Sequence, residues 1–360
     1  MAKLALIRGL WKIMLLVLVL CFFNYWGAGF HWWITIAYPF FQSIRCWVFD
    51  FIPFSLGDLF YILLGLVLLV GLLVALYPVA LIHRYKQKAF VRLGVFMFVV
   101  ASSGISFYIY FLLSWGGHYY REPIGKTWGL DTSLKVNLAV FERDIIAQIN
   151  TLQPFYRSYG IDRINEVSLK NYEAFTDCKF NFKGHAIKSS LFGSYVDKMG
   201  IEGYFNPFTG EGQIGKLVPT SILPFVISHE IAHKAGIARE GDANLVAYAI
   251  CTQSDSTFRY SAAMDLLLYV RRRFSWVDST AESKLFAQLN TYSRRQLDTI
   301  YKYFDLSKNA ASDAGREMYD DYLKLQQQKE GIRSYGNIVA DAWRLELRRK
   351  KIGVERVKLF

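Results

Sequence analysis

Ser228-His229-Glu230-Ile231-Ala232-His233-Lys234-Ala235-Gly236-Ile237-Ala238-Arg239-Glu240-Gly241-Asp242-Ala243-Asn244 is the stretch on which the reading of this chain turns. On a helix, residues four apart share a face, so His229 and His233 present two imidazoles to one point. Glu230 follows the first histidine and stands beside that point. Two nitrogen ligands with a neighbouring carboxyl are what a hydrolytic zinc site requires: a place to hold the metal, and a base for its water.

The surroundings extend the pattern. Thr220 or Ser221 is an N-cap candidate, Pro224 is tolerable in a first turn, and Gly236 sits where a helix stops with a left-handed residue. A second helix is predicted from about Ile237. It contains Glu240-x-x-Ala243-Asn244, which resembles the element that supplies the third ligand in gluzincin-type metallopeptidases. Glu240 and Asn244 lie on one face, so the carboxylate can reach the metal while the amide supports a ligand histidine from behind. Ala243 and Ala247 are small enough to let the two helices approach. There are two rivals to Glu240. A metzincin would need its third histidine at Arg239, and arginine cannot ligate. Asp242 is a nearby carboxylate and stays open as an alternative.

The N-terminal third follows different physics. Ile13 to Phe30, Leu59 to Ile82 and Leu93 to Trp115 each lack Asp, Glu, Lys and Arg. Each is long enough to cross a hydrocarbon layer of about 30 Å. The first is read as a retained anchor rather than a cleaved signal, because uncharged sequence continues through His31-Trp32-Trp33 to Gln42 like an interfacial aromatic belt. Lys3, Arg8 and Lys12 precede it, and Arg84, Lys86, Lys88 and Arg92 occupy the second connection without an acid; the first connection has Arg45 against Asp50 and Asp58. The positive-inside rule puts the N-terminus and second connection in the cytoplasm, and the chain after His118 on the outer face.

This gives a membrane anchor over residues 1–118 and a soluble portion over 119–360. With 53% hydrophobic residues the chain is too apolar for an ordinary soluble enzyme. Its net charge of +12 comes partly from the cytoplasmic segments, and Arg271-Arg-Arg and Arg348-Arg-Lys-Lys351 suit anionic head groups or a solvated helix face. No nucleic-acid motif accompanies it. Of the four cysteines, Cys178 and Cys251 are in the soluble portion, where a disulfide is permitted but spacing cannot establish one. A packing helix is predicted over Leu134–Tyr159, an extended segment with a turn over Ile201–Gly215, and amphipathic helices over Ser261–Phe274, Ala281–Phe304 and Gly315–Lys329. The extended segment, just before the histidine helix, is placed to border a cleft and pair with a peptide.

Trp115-Gly-Gly-His-Tyr-Tyr-Arg-Glu-Pro-Ile124, Gly203-Tyr-Phe-Asn-Pro-Phe-Thr-Gly-Glu211 and the histidine stretch together resemble the bacterial domain-of-unknown-function 3810 family. The resemblance covers nearly the whole chain. It implies a mostly helical α+β protein, with three N-terminal transmembrane helices and a zincin-like domain carrying a small sheet, in the bacterial cytoplasmic membrane. It supports His229, His233 and Glu240 as zinc ligands, Glu230 as the base and Asn244 behind a ligand, in a peptidase acting on peptide or protein substrates. Tyr335, Tyr248 and His185 are candidates for stabilising an oxyanion. The alternative is a membrane-anchored binding or regulatory protein with a structural zinc; a general base at Glu230 argues against it.

The orientation is directly testable. A reporter active only in the cytoplasm, fused after Phe360, stays silent; bright signal contradicts the assigned topology.

Overall fold

The uncharged runs become the longest apolar helices. In this computed structural model, which describes residues 2–25, 27–49, 51–80, 82–176, 186–326 and 328–353, the N-terminal part contains α1 (Ala2–Tyr25), α2 (Gly27–Trp32), a π turn (Trp33–Ala37), α3 (Tyr38–Phe49), α4 (Leu56–Ala80) and α5 (Ile82–Ser114). Leu56–Val74 in α4 and Leu93–Ser114 in α5 are each long and apolar enough to cross a membrane. These match the second and third expected spans.

The first expected span differs. The apolar helix ends at Tyr25, and Leu10–Tyr25 and Gly29–Phe49 meet at 98°, so the count is two spans, or three if this bent pair is one. Polar side chains explain why α3 does not continue an apolar run: Gln42 donates to Gly210 O at 2.8 Å and Arg45 to Pro207 O at 2.7 Å. The segment read as an aromatic belt is therefore partly buried, with Tyr38 fully covered. Lys12, read as a flanking charge, reaches into the α5 run and donates to the carbonyl and hydroxyl of Ser102 at 3.1 and 2.9 Å.

The rest is mostly helical with one small sheet. In chain order it holds α6 (Ile124–Thr127), α7 (Leu138–Leu152), α8 (Ile161–Phe175), β1 (Lys188–Ser189), α9 (Gly193–Lys198), β2 (Gly203–Phe205), β3 (Gly212–Ile214), α10 (Leu223–Lys234), α11 (Glu240–Cys251), α12 (Ser256–Phe286), α13 (Thr291–Asp305), α14 (Ala310–Leu325) and α15 (Ile338–Ile352). The sheet order is β1-β3-β2, with β1 parallel and β2 antiparallel to β3, and Tyr204 opposite Gln213. Asn206 turns the hairpin by accepting from the backbone of Phe208 and Thr209, and Gly210 closes it at φ +73°.

Caps decide where the predicted helices were misjudged. Asn137 accepts from Val140 N at 3.1 Å and starts α7 there, four residues after Leu134. The helix expected over Ala281–Phe304 is two helices, because Asn290 accepts from Ser293 N at 2.8 Å and opens α13. The cap expected at Thr220 or Ser221 is absent; α10 follows Ile222 with Pro224 in its first turn.

α10 and α11 are buried at every position, enclosed by α8, α12, α15 and the sheet. The membrane helices join this body through buried polar groups. Glu211 accepts from Gly57 N at 2.6 Å and Leu56 N at 3.3 Å, serving the open N-terminus of α4, and pairs with Lys188 at 2.6 Å. Asp58 accepts from Leu191 N at 2.8 Å and Ser190 Oγ at 3.1 Å, and also from the Tyr204 hydroxyl.

Removing one partner of a buried pair leaves the other charged and unsolvated. Glu211→Ala in the full-length protein in detergent is expected to cost about 3–5 kcal/mol and lower the melting temperature by several degrees; an unchanged melting temperature contradicts this coupling.

Candidate metal centre

Gly236 makes the site possible. At φ +88° it ends α10 in the left-handed region, and an added Cβ would lie 2.9 Å from both His118 and Tyr38. The chain turns there at once into α11, and the small side chains Ala232, Ala243 and Ala247, all buried, line the joined helices. Glu240, the first residue of α11, comes to lie against both histidines of α10.

Among the described residues, His229, His233 and Glu240 form a group placed to hold a metal ion, with ligand atoms all within 4.8 Å of one another. The Nε2 atoms of His229 and His233 are each 3.2 Å from Glu240 Oε2. His233 Nδ1 is 2.7 Å from the Ile237 carbonyl, which accepts its proton and leaves Nε2 as the nitrogen that could hold a metal. The other carboxylate oxygen, Oε1, accepts from the Tyr319 hydroxyl at 2.5 Å. Two imidazoles and an oriented carboxylate are a donor set suited to zinc.

The protonation of the cluster follows from burial and mutual charge. Burial opposes ionisation of Glu240, but the two histidines outweigh it and hold the carboxyl well below its usual range. Burial likewise opposes a charge on His233, and Glu240 overcomes it, pushing this imidazole up to about 9. His229 is shifted down by burial and by His233.

Glu230, next in α10 after His229, lies against Gly203 of β2 and is close enough to His233 and Glu240 to feel their charges. It is buried, its Oε2 has no hydrogen-bond partner, and a Cβ on Gly203 of β2 would lie 2.6 Å from its Oε1. Burial first, then Glu240 and Glu202, push its carboxyl up to about 8, against the lowering effect of His233. Asn244 stands behind His229 and raises its pKa, with Nδ2 3.5 Å from Tyr335 O.

The rival ligand has another task. Asp242 accepts from Ile124 N at 3.0 Å, fixing α6, and is not part of the donor set. Of the oxyanion candidates, Tyr335 is at the site, its ring nearly parallel to that of His229 at 6.5 Å. Tyr248 instead donates to Glu346 at 3.3 Å. His185 and Cys178 lie outside the described residues; Cys251 is a buried free thiol donating to Ser228 Oγ at 3.3 Å. Sequence reasoning missed Tyr319 on α14, the half-buried Glu202 and the buried Asp265. Asp265 is raised well above the usual carboxyl range by burial and by Glu202. Trp115, quoted only as part of a motif, packs its indole 5.4 Å from the His233 ring and 4.4 Å from Phe205.

Fold and site together define a mostly helical protein with membrane-length apolar helices and a buried His-His-Glu donor set. The chain belongs to the family described as "Protein of unknown function (DUF3810)", whose model matches residues 33–340. No curated protein and no solved structure matches it. The matched region begins in the π turn before α3 and includes α4, α5 and both site helices.

Metal content of purified variants tests the donor set. His229→Ala or His233→Ala abolishes stoichiometric metal, whereas Asp242→Asn retains it. Tyr319→Phe, which frees Glu240 Oε1, lowers affinity about 10–100-fold. Loss of metal in Asp242→Asn with retention in Glu240→Ala would reverse the assignment.

Proposed function

We propose that this protein is a membrane-anchored zinc metallopeptidase. The observation that carries the reading is a His-His-Glu donor set beside a buried carboxyl, Glu230, that ligates nothing and keeps an oxygen unpartnered. A site built only to hold a metal gains nothing from such a group, and burying it is unfavourable.

When bound, zinc polarises the scissile carbonyl and makes its water a nucleophile near neutral pH. Glu230 accepts the water proton and returns it to the leaving amine. Gly203, having no side chain, lets β2 lie directly against this carboxyl. Tyr319 and His233's bond to Ile237 fix the ligands. Tyr335 is the oxyanion candidate that lies at the site.

A peptide also has a place to bind. In β2, Asn206 N bonds to Glu211 O and Gly215 N to Glu202 O, so the even-numbered residues face β3. The backbone groups of Gly203 and Phe205 are turned away from β3, to an edge on which no strand pairs among the described residues and where an extended peptide can add next to Glu230. The basic connections around Lys3–Lys12 and Arg84–Arg92 support a cytoplasmic N-terminus and a site on the outer face of the cytoplasmic membrane. The membrane-length helices of α4 and α5 support a multi-pass anchor, with the bent segment as its third span.

Glu230→Gln separates catalysis from metal binding. The variant keeps zinc and a near-unchanged melting temperature and loses cleavage of a peptide library by about two to four orders of magnitude. A variant cleaving as fast as the parent contradicts the role of Glu230.

A further inference from the structure

We propose that the substrates are polypeptides anchored in the same bilayer, cut within a few residues of the point where they leave it. This rests on the peptidase reading and names its substrate class.

The site sits directly on the ends of the membrane-length helices, and three independent contacts establish this. The apolar run of α5 ends at Ser114, and the next residue, Trp115, packs on the ligand His233 and on Phe205 of the edge strand at 5.4 and 4.4 Å. On α14, Tyr319 donates to the ligand Glu240, and Tyr322, one turn on, packs on Phe111 inside the α5 run at 6.4 Å. The tip of the β2–β3 hairpin enters the helices themselves: Phe208 lies 5.1 Å from Phe60 of α4 and 5.8 and 5.9 Å from Phe107 and Tyr110 of α5, and Tyr110 donates to its carbonyl at 2.8 Å.

α3 completes the seating. Tyr38, Gln42 and Arg45 on one face are buried, while Phe40, Ile44 and Trp47 on the opposite face are 70%, 46% and 81% exposed. A helix held by its polar face to the body, with aromatic and aliphatic residues outward beside two membrane-length helices, suits the lipid interface.

These distances fix what can reach the centre. The polar layer on each side of the hydrocarbon is roughly 5–8 Å thick. One indole separates His233 from the end of the apolar run, so the donor set lies at the depth of the head groups. The edge strand leads the same way: Phe205 touches Trp115 and Gly203 faces Glu230, a rise of about 7 Å over two residues. A folded soluble protein cannot bring a loop to that depth without displacing head groups. A chain emerging from the bilayer passes through it, and confinement to the same membrane raises its effective concentration. The outward backbone groups of Gly203 and Phe205, which no strand pairs among the described residues, favour a polypeptide over a lipid as the occupant.

The test uses full-length protein reconstituted into liposomes with detergent-extracted bacterial membrane proteins, with soluble bacterial proteins added outside. New N-termini generated by the parent but not by Glu230→Gln are mapped by mass spectrometry. The proposal expects them in membrane proteins, enriched about tenfold or more within some ten residues of a span end, as confinement to the bilayer demands. New termini spread through soluble proteins, or far from spans, overturn the proposal while leaving the peptidase reading intact. Lipid hydrolysis in place of new termini overturns both, as does the absence of any difference between parent and variant.

Discussion

A fully buried carboxylate held against two imidazoles is the constraint around which this protein is arranged. Glu240 is removed from water together with His229 and His233, and such a charge persists indoors only with close positive partners and every lone pair engaged. Each nearby feature serves that need. Gly236 turns the chain sharply enough to set α11 on α10, alanines let the helices touch, Tyr319 takes the second carboxylate oxygen, and Ile237 fixes the tautomer of His233. Both helices are consequently buried all round, which requires a shell of other helices and a sheet to enclose them.

The local part of this plan was legible in the sequence because its parts are close along the chain. The helical spacing of His229 and His233, the stop at Gly236 and a second helix bearing Glu240 needed no tertiary knowledge, although that helix was expected from about Ile237 and begins at Glu240; the structure brings these residues together. Asn244 fell behind His229 for the same reason. Asp242 was left open because spacing alone cannot tell a ligand from a group bonded to a distant backbone, here Ile124. Tyr319 and Trp115 were beyond reach: one is 79 residues from Glu240, and nothing in their neighbourhoods marks either as touching the His-His-Glu cluster.

The same distinction runs through the membrane segment. Apolar composition located the runs of α4 and α5, since length and absence of charge suffice. The first expected span is a bent pair, Leu10–Tyr25 and Gly29–Phe49, and counts as a third span only if that pair is one. Gln42 and Arg45 tie α3 to the carbonyls of Gly210 and Pro207, a long-range requirement invisible in hydropathy. The expected helix over Ala281–Phe304 was divided by an asparagine cap that its amphipathic pattern concealed. The consequence is functional as well as structural. Tyr38 belongs to the main hydrophobic core, and Asp58 and Glu211 tie the start of α4 to the sheet. The apolar helices are thus packed into the body that holds the site, and the full chain is the unit to study.

X-ray absorption at the zinc edge of the full-length protein in detergent tests the central claim most directly, because it reports the ligands themselves. The account predicts nitrogen and oxygen ligation at about 2.0–2.2 Å with the outer-shell scattering of two imidazoles, reduced to one in His233→Ala. Sulfur ligation, or a purely oxygen shell without imidazole scattering, would contradict it.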